Sequence, residues 1–406
     1  MQSSFPLLLR TPALRPVALI VTAIALQGCV TETVRVVDLT PPDQAQEVIS
    51  EDLLLDVGIA VFDANVPDDY DERVKRIIQP EVRRAESNYI PFFAKNLLQS
   101  TGNWGPVRVL PRASDAVDVV VSGKILHSDG ESLRLEVQVA DVTGRRWFTR
   151  EYEALASKYA YGDSIPPDID PFQAFYKDLA NDMLAYRQSL SEDEIREIRQ
   201  VAELKFARSF SPDAFGEHLS GDDGERLSLA RLPSEDDPML ERVRKIRERE
   251  YLFIDTLDEY YDSFYRNMYT PYNRWRKATY EEAIALKQLR TEARNRTVGG
   301  ALAIVGGVAS IYEGDSAASD ISGVVSVIAG ATTIKSAIGK RAEAALHAEV
   351  LQELGLATEA EVTPHTLDLE NQTVRLQGTV EEQYAELRSL LRRLYYEDLD
   401  LPVPDE

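Results

Sequence analysis

The chain has 406 residues, 44% of them hydrophobic and 28% charged, a composition that excludes both a disordered chain and a polytopic membrane protein. Its 45 basic and 68 acidic residues give a net charge of −23, which argues against a nucleic-acid partner and against electrostatic docking on anionic lipid. One cysteine in the whole chain excludes an internal disulfide framework.

The first 28 residues read as a targeting segment and not as fold. Arg10 and Arg15 precede the apolar run 17–26, and Leu26-Gln27-Gly28 leads to the single cysteine, Cys29. A basic start, a core of about ten apolar residues and small residues before a cut site make a secretory signal. The run is short of the roughly 17–25 residues of a membrane span. Leu26-Gln27-Gly28-Cys29 resembles the bacterial lipobox, with Gln27 bulkier than the small residue usual there. The resemblance implies cleavage before Cys29 and lipidation of that cysteine, and several acyl chains anchor stably where one does not. Val30 stands where related lipoproteins retained on the inner membrane carry Asp, so the resemblance implies the outer membrane, periplasmic face. Cleavage leaves 43 basic and 68 acidic residues.

Residues 29–50, with Pro41-Pro42, are expected to form a lipidated tether. Over 51–160 the pattern is that of an α+β domain. Residues 57–62 read as a buried strand, 73–99 as helix interrupted by Pro80 and Pro91, and 107–110 as a second strand. Segments 118–126, 132–141 and 146–152 follow as an antiparallel meander. In the middle one Leu133, Leu135, Val137 and Val139 alternate cleanly, and Gly130 and Thr143-Gly144 supply the turns.

Ile59-Ala-Val-Phe62, Asp118-Val-Val-Val-Ser-Gly-Lys-Ile125 and Val139-Ala-Asp-Val-Thr-Gly144 carry a resemblance. Residues 51–156 resemble the periplasmic α/β domains of curli-channel-type lipoproteins, TolB amino-terminal domains and lipoprotein activators of penicillin-binding proteins. That resemblance implies a binding and assembly module without catalytic residues, so no site residue carries over. The segment lacks an evident channel-forming strand pair, where it departs from the curli type.

Residues 165–296 read as helical, beginning at Asp170-Pro171-Phe172 with an acid at the cap and proline at the first helical position. Phe172, Phe175, Leu179, Met183 and Tyr186 form an apolar stripe, 211–238 a loop, and Pro271 a break or kink in a long charged helix. Residues 297–338 hold two apolar segments of small residues joined by an acidic turn. Gly299, Ala303 and Gly307, and then Ser322, Ser326 and Gly330, recur at four-residue spacing. That spacing suits close helix approach, within the chain, between copies or in a membrane. Residues 339–406 read as a helix followed by a small β-β-α unit.

Motifs of chemistry are few. No nucleophile elbow, His-Glu-x-x-His pair, calcium loop or phosphate loop occurs. The histidines 127, 218, 347 and 365 lack ligand spacing. Acid pairs such as Asp168/Asp170 and Asp222/Asp223 arise readily among 68 acids. No catalytic residue, metal or cofactor is therefore expected. Within residues 251–280 an aromatic stripe includes Tyr261, Tyr265, Tyr269, Tyr272 and Trp275. It reads either as helix packing or as a partner surface, since Tyr and Trp join apolar area to a polar tip. The function expected is a non-enzymatic scaffold or assembly factor at the outer membrane, binding an envelope protein or peptidoglycan. The alternative is a self-assembling accessory of a secretion or transport channel, which would be a homo-oligomer.

Overall fold

The computed structural model describes residues 40–311 and 365–397, apart from 77, 112–116, 158, 163–168, 222–225, 235, 370–371 and 378, with 74–75, 258–259, 282, 285–311, 365–369, 372–375 and 381 as backbone alone. Cys29, the signal segment, the apolar segment 321–334 and the helix expected at 340–354 lie outside the described residues. The architecture is mixed α+β, with a five-stranded sheet followed by a long helical region.

The sheet has the order β2-β1-β3-β4-β5, from β1 (Val57–Ala60), β2 (Val107–Leu110), β3 (Val119–Ser128), β4 (Ser132–Asp141) and β5 (Arg146–Leu155). β1 pairs in parallel with β2 and β3, and β3, β4 and β5 form the antiparallel meander. Every residue of β1 and β2 is buried, as parallel strands covered on both faces require, whereas β4 buries only its Leu133–Val139 face. At the β4–β5 turn the Asp141 carboxylate accepts from the backbone N–H of Thr143 (3.0 Å) and from the Trp147 indole N–H (2.9 Å). Gly144 follows at φ 84°, a conformation that glycine adopts without steric cost. The Val-x-Asp-x-Thr-Gly motif is thus accounted for by turn geometry.

Between β1 and β2 lie α1 (Tyr70–Arg76) and α2 (Pro80–Ser100). Pro80 opens α2, but Pro91, expected to interrupt it, sits inside a continuous helix. Proline removes the hydrogen bond that its N–H would give the carbonyl four residues back. That carbonyl, of Ser87, instead accepts from the backbone N–H of Phe62 at 3.0 Å. The sheet side of the molecule supplies the missing donor, so the helix runs on.

Helix α3 (Gln173–Ser189) starts later than the sequence suggests. Asp170 closes the preceding turn, accepting from the N–H of Phe172 at 2.9 Å. α4 (Glu192–Phe210) begins with a capping box of Ser191 and Glu194. The loop expected at 211–238 contains one helical turn, Pro212–Phe215, and a two-residue ladder. α5 (Pro238–Ile311) is 74 residues long, about 110 Å, and passes through Pro271 without ending. The hairpin β6 (His365–Leu369) and β7 (Gln372–Leu376) precedes α6 (Val380–Glu397), which packs on α5.

One hydrophobic core joins the sheet, α2, α3, α4, the first half of α5 and α6. Its members come from both sides of the expected boundary near residues 160–165. Within the expected tether the chain is already fastened to the body at Thr40. Lys177 Nζ donates to Thr40 Oγ1 (2.8 Å), Asn103 Nδ2 to the Asp43 carbonyl (2.9 Å) and the Ala45 N–H to the Thr101 carbonyl (2.8 Å), and Pro42 is buried.

Candidate functional site

The aromatic stripe of α5 is the sequence's candidate partner surface, and it lies along α2. Tyr261, Tyr272 and Trp275 are between 1% and 4% exposed, whereas Tyr265 and Tyr269 are half-buried. The first three belong to the core and are not open to a partner. Tyr265 stacks on Tyr89 with ring centres 4.8 Å apart, and Tyr272 meets the edge of the same ring at 4.9 Å. Burial pushes the Tyr265 phenol up to about 12. Inside the seam the polar tips find partners that the sequence does not reveal. Tyr272 Oη donates to Glu86 Oε1 at 2.6 Å, and the Trp275 indole N–H donates to Gln79 Oε1 at 2.9 Å.

Glu86 is fully buried and also accepts from the Ser128 hydroxyl, with Arg83 Nε 3.8 Å from its other oxygen. Burial raises its pKa, opposed by Arg83 and by the two hydroxyl donors. Four residues beyond Tyr272, Arg276 donates from Nη1 to both carboxylate oxygens of Asp170, at 3.1 and 2.9 Å, with both side chains 1% exposed. The guanidinium also lies 4.1 Å from the Tyr272 ring centre and 5.6 Å from that of Phe172. Burial works against its charge, and the Asp170 carboxylate overrides it and holds the proton. Asp170, one of the acid pair Asp168/Asp170 in the sequence, is occupied by this ion pair.

The same helix receives other elements through charge. Arg108 of β2 grips Asp255 through Nε (2.6 Å) and Nη2 (3.2 Å), and Arg388 of α6 reaches the fully buried Glu250 at 2.7 Å. The β3–β4 turn touches α5 most closely. A methyl group at Gly130 would lie 1.7 Å from the Arg276 carbonyl oxygen and 2.4 Å from the Tyr280 nitrogen. Glycine is needed there by close approach, not only by turn chemistry.

No protein-family model and no curated protein matches the chain. Its site is therefore read from geometry alone.

The half-buried Tyr269 lines a cleft of about 330 Å³ together with Tyr161, Pro171, Asn273 and the exposed cations Arg274 and Lys277. On the sheet side a second cleft of about 370 Å³ gathers Arg76, Arg83, His127 and Arg134 around Glu153. Arg76 and His127 there already face Glu72 (3.0 Å) and Asp129 (2.9 Å). Among the described residues no group of three or more His, Cys, Asp or Glu gathers in metal-binding geometry, and no helix is long and apolar enough to cross a membrane. Three of the buried charges are hidden in the sequence because they occupy apolar-stripe positions. Arg276 follows Tyr272 by four, Glu86 follows Val82 by four and Arg187 follows Met183 by four. A charge at such a position is the signal that could have found them.

Proposed function

We propose that the protein is a bacterial lipoprotein of the outer membrane, periplasmic face, that acts as a non-enzymatic scaffold or assembly factor for an envelope complex or the cell wall. The observation that carries this reading is the single cysteine, Cys29, at the end of a signal-type segment. The fastening of the chain from Thr40 onward adds a mechanical argument. Only eleven residues lead from Cys29 to Thr40, and eleven extended residues reach at most about 40 Å. A lipid on Cys29 would hold the folded body that close to the membrane, which suits a protein that bridges the membrane to something near it. The partner is an envelope protein or peptidoglycan, and the cleft of Tyr269, Arg274 and Lys277 is the surface beside the aromatic stripe that would meet it. We read 51–156 as a binding module of the periplasmic lipoprotein type, and β6, β7 and α6 as a small β-β-α unit clasping α5 at Glu250. Cys29→Ser tests the anchor: the variant should lose incorporation of a fatty-acid analogue and leave the membrane fraction. Label retained by the serine variant would refute the assignment.

A second reading, a self-assembling channel accessory, is favoured by one feature. The last buried side chain described on α5 is Ala278, yet the helix continues to Ile311, through the four-residue spacing of Gly299, Ala303 and Gly307. Size measurement of the Cys29→Ser protein separates the two readings. A monomer supports the scaffold, and a ring of many copies supports the channel accessory.

A further inference from the structure

Four arginines are buried in the described structure, and three of them face a carboxylate: Arg83 faces Glu86, Arg108 faces Asp255 and Arg276 faces Asp170. Arg187 does not. It is 9% exposed, donates one hydrogen bond from Nη2 to the Leu53 carbonyl (2.9 Å), and keeps a buried Nε with no partner. Burial pulls its pKa down, and no acid among the described residues opposes that shift. A buried charge without a counter-charge costs several kcal/mol, and this chain has 68 acids from which a partner was available.

Arg187 lines a cleft of about 510 Å³ between the end of α3 and the strap of residues 43–49. That volume lies within the range of small-ligand sites. Leu184 and Ile49 give the cleft apolar wall, Asn103 and Gln188 bring amides, and the exposed carboxylates of Asp43 and Glu47 are its other charges. A guanidinium fork matches a carboxylate with two parallel hydrogen bonds. A bare anion would be repelled by Asp43 and Glu47, whereas a ligand with an ammonium group would be held by them.

We propose that this cleft binds a small zwitterion, an amino acid or short peptide, with its carboxylate on Arg187 and its ammonium group toward Asp43 and Glu47. The ligand would join α3 to the strap that leads toward residue 29, so its arrival would tighten the fastening of the chain end.

The test is titration calorimetry on the full-length, detergent-extracted protein. The probes are glycine, alanyl-alanine, its C-terminal amide, its N-acetyl form, acetate and inorganic phosphate. Alanyl-alanine or glycine should bind with a Kd of about 1 mM or tighter, and amidation should weaken the dipeptide at least about tenfold, the loss of one charge-assisted pair. Arg187→Gln should abolish binding. Should Arg187→Gln fail to fold, the double variant Asp43→Asn/Glu47→Gln, altered only at exposed positions, still decides. It should lose the preference for the free over the acetylated amine. The proposal is overturned if neither zwitterion binds, if the amide binds as well as the acid, if acetate or phosphate binds as well as the dipeptide, or if binding survives Arg187→Gln.

Discussion

The seam between α2 and α5 and the cleft between α3 and the strap both contain a buried arginine, and the two are treated differently. In the seam Arg276 is matched by Asp170, flanked by the rings of Tyr272 and Phe172, and lies one helical turn beyond Tyr272, whose hydroxyl donates to Glu86. In the cleft Arg187 has a carbonyl for company and no carboxylate; a buried Nε without a partner is common to both arginines. A buried charge that is paired and hydrogen-bonded fixes how elements dock, and removing one partner strands the other. A buried charge left unpaired at a cleft contributes nothing comparable to docking, so its retention points outward, to a ligand. The comparison separates polar groups that build the fold from one that is free to serve it.

The sharpest way to break the comparison is to remove the seam's acid. Asp170→Ala leaves the Arg276 charge buried alone and also deletes the acceptor of the Phe172 N–H. Chemical denaturation should show a loss of about 3–5 kcal/mol. A loss below about 1 kcal/mol would mean that water reaches Arg276 and that the seam is not sealed.

A smaller loss is expected at the contact between the sheet and α5. Gly130→Ala would place a methyl group against backbone atoms of Arg276 and Tyr280, which a side-chain rotation cannot relieve. The β3–β4 turn or the helix must shift, at a cost of about 1–3 kcal/mol in urea denaturation. An unchanged midpoint would show that the turn and the helix have room for the methyl group.

A third expectation concerns pH. Burial, helped by Asp56 and opposed by Arg247, pushes the Asp118 carboxyl up to about 6. Its folded pKa thus exceeds the unfolded value near 4, and the folded state holds the proton more tightly than the unfolded one. Asp118 therefore contributes stability below about pH 4, and this contribution is lost as pH rises through about 6. Asp118→Asn should flatten that part of the stability–pH curve and be the more stable protein at pH 7. A variant whose curve still falls between pH 4 and 6 would assign the slope to another acid.

These effects also mark how far the sequence could be read. The alternation of Leu133, Leu135, Val137 and Val139 placed β4, and Thr143-Gly144 placed its turn, because strand period and turn chemistry are local. A long charged helix is legible up to about residue 296, its continuation to Ile311 is not, and its apolar spacing leaves open whether its aromatics face the core or a partner. Which neighbour covers a stripe is a long-range fact: Glu86 and Tyr272 are 186 residues apart in the chain. The continuity of α2 through Pro91 depends equally on a distant donor, the Phe62 N–H. Arg187 was passed over for the same reason. Its place on the stripe of Phe175, Leu179 and Met183 shows burial, but only the fold shows that no acid arrives to meet it.

The smallest predicted effect bears most directly on the contrast between the two arginines. Urea denaturation at pH 7 should be compared for Arg187→Met and Arg276→Met, which replace each charged head by an apolar chain of similar reach. Arg276→Met strands Asp170 and should lose several kcal/mol, whereas Arg187→Met should stay within about 1 kcal/mol of the parent or gain stability, since it strands no charge. Equal losses in the two variants would contradict the account, because they would show that Arg187 is held by the fold as firmly as Arg276.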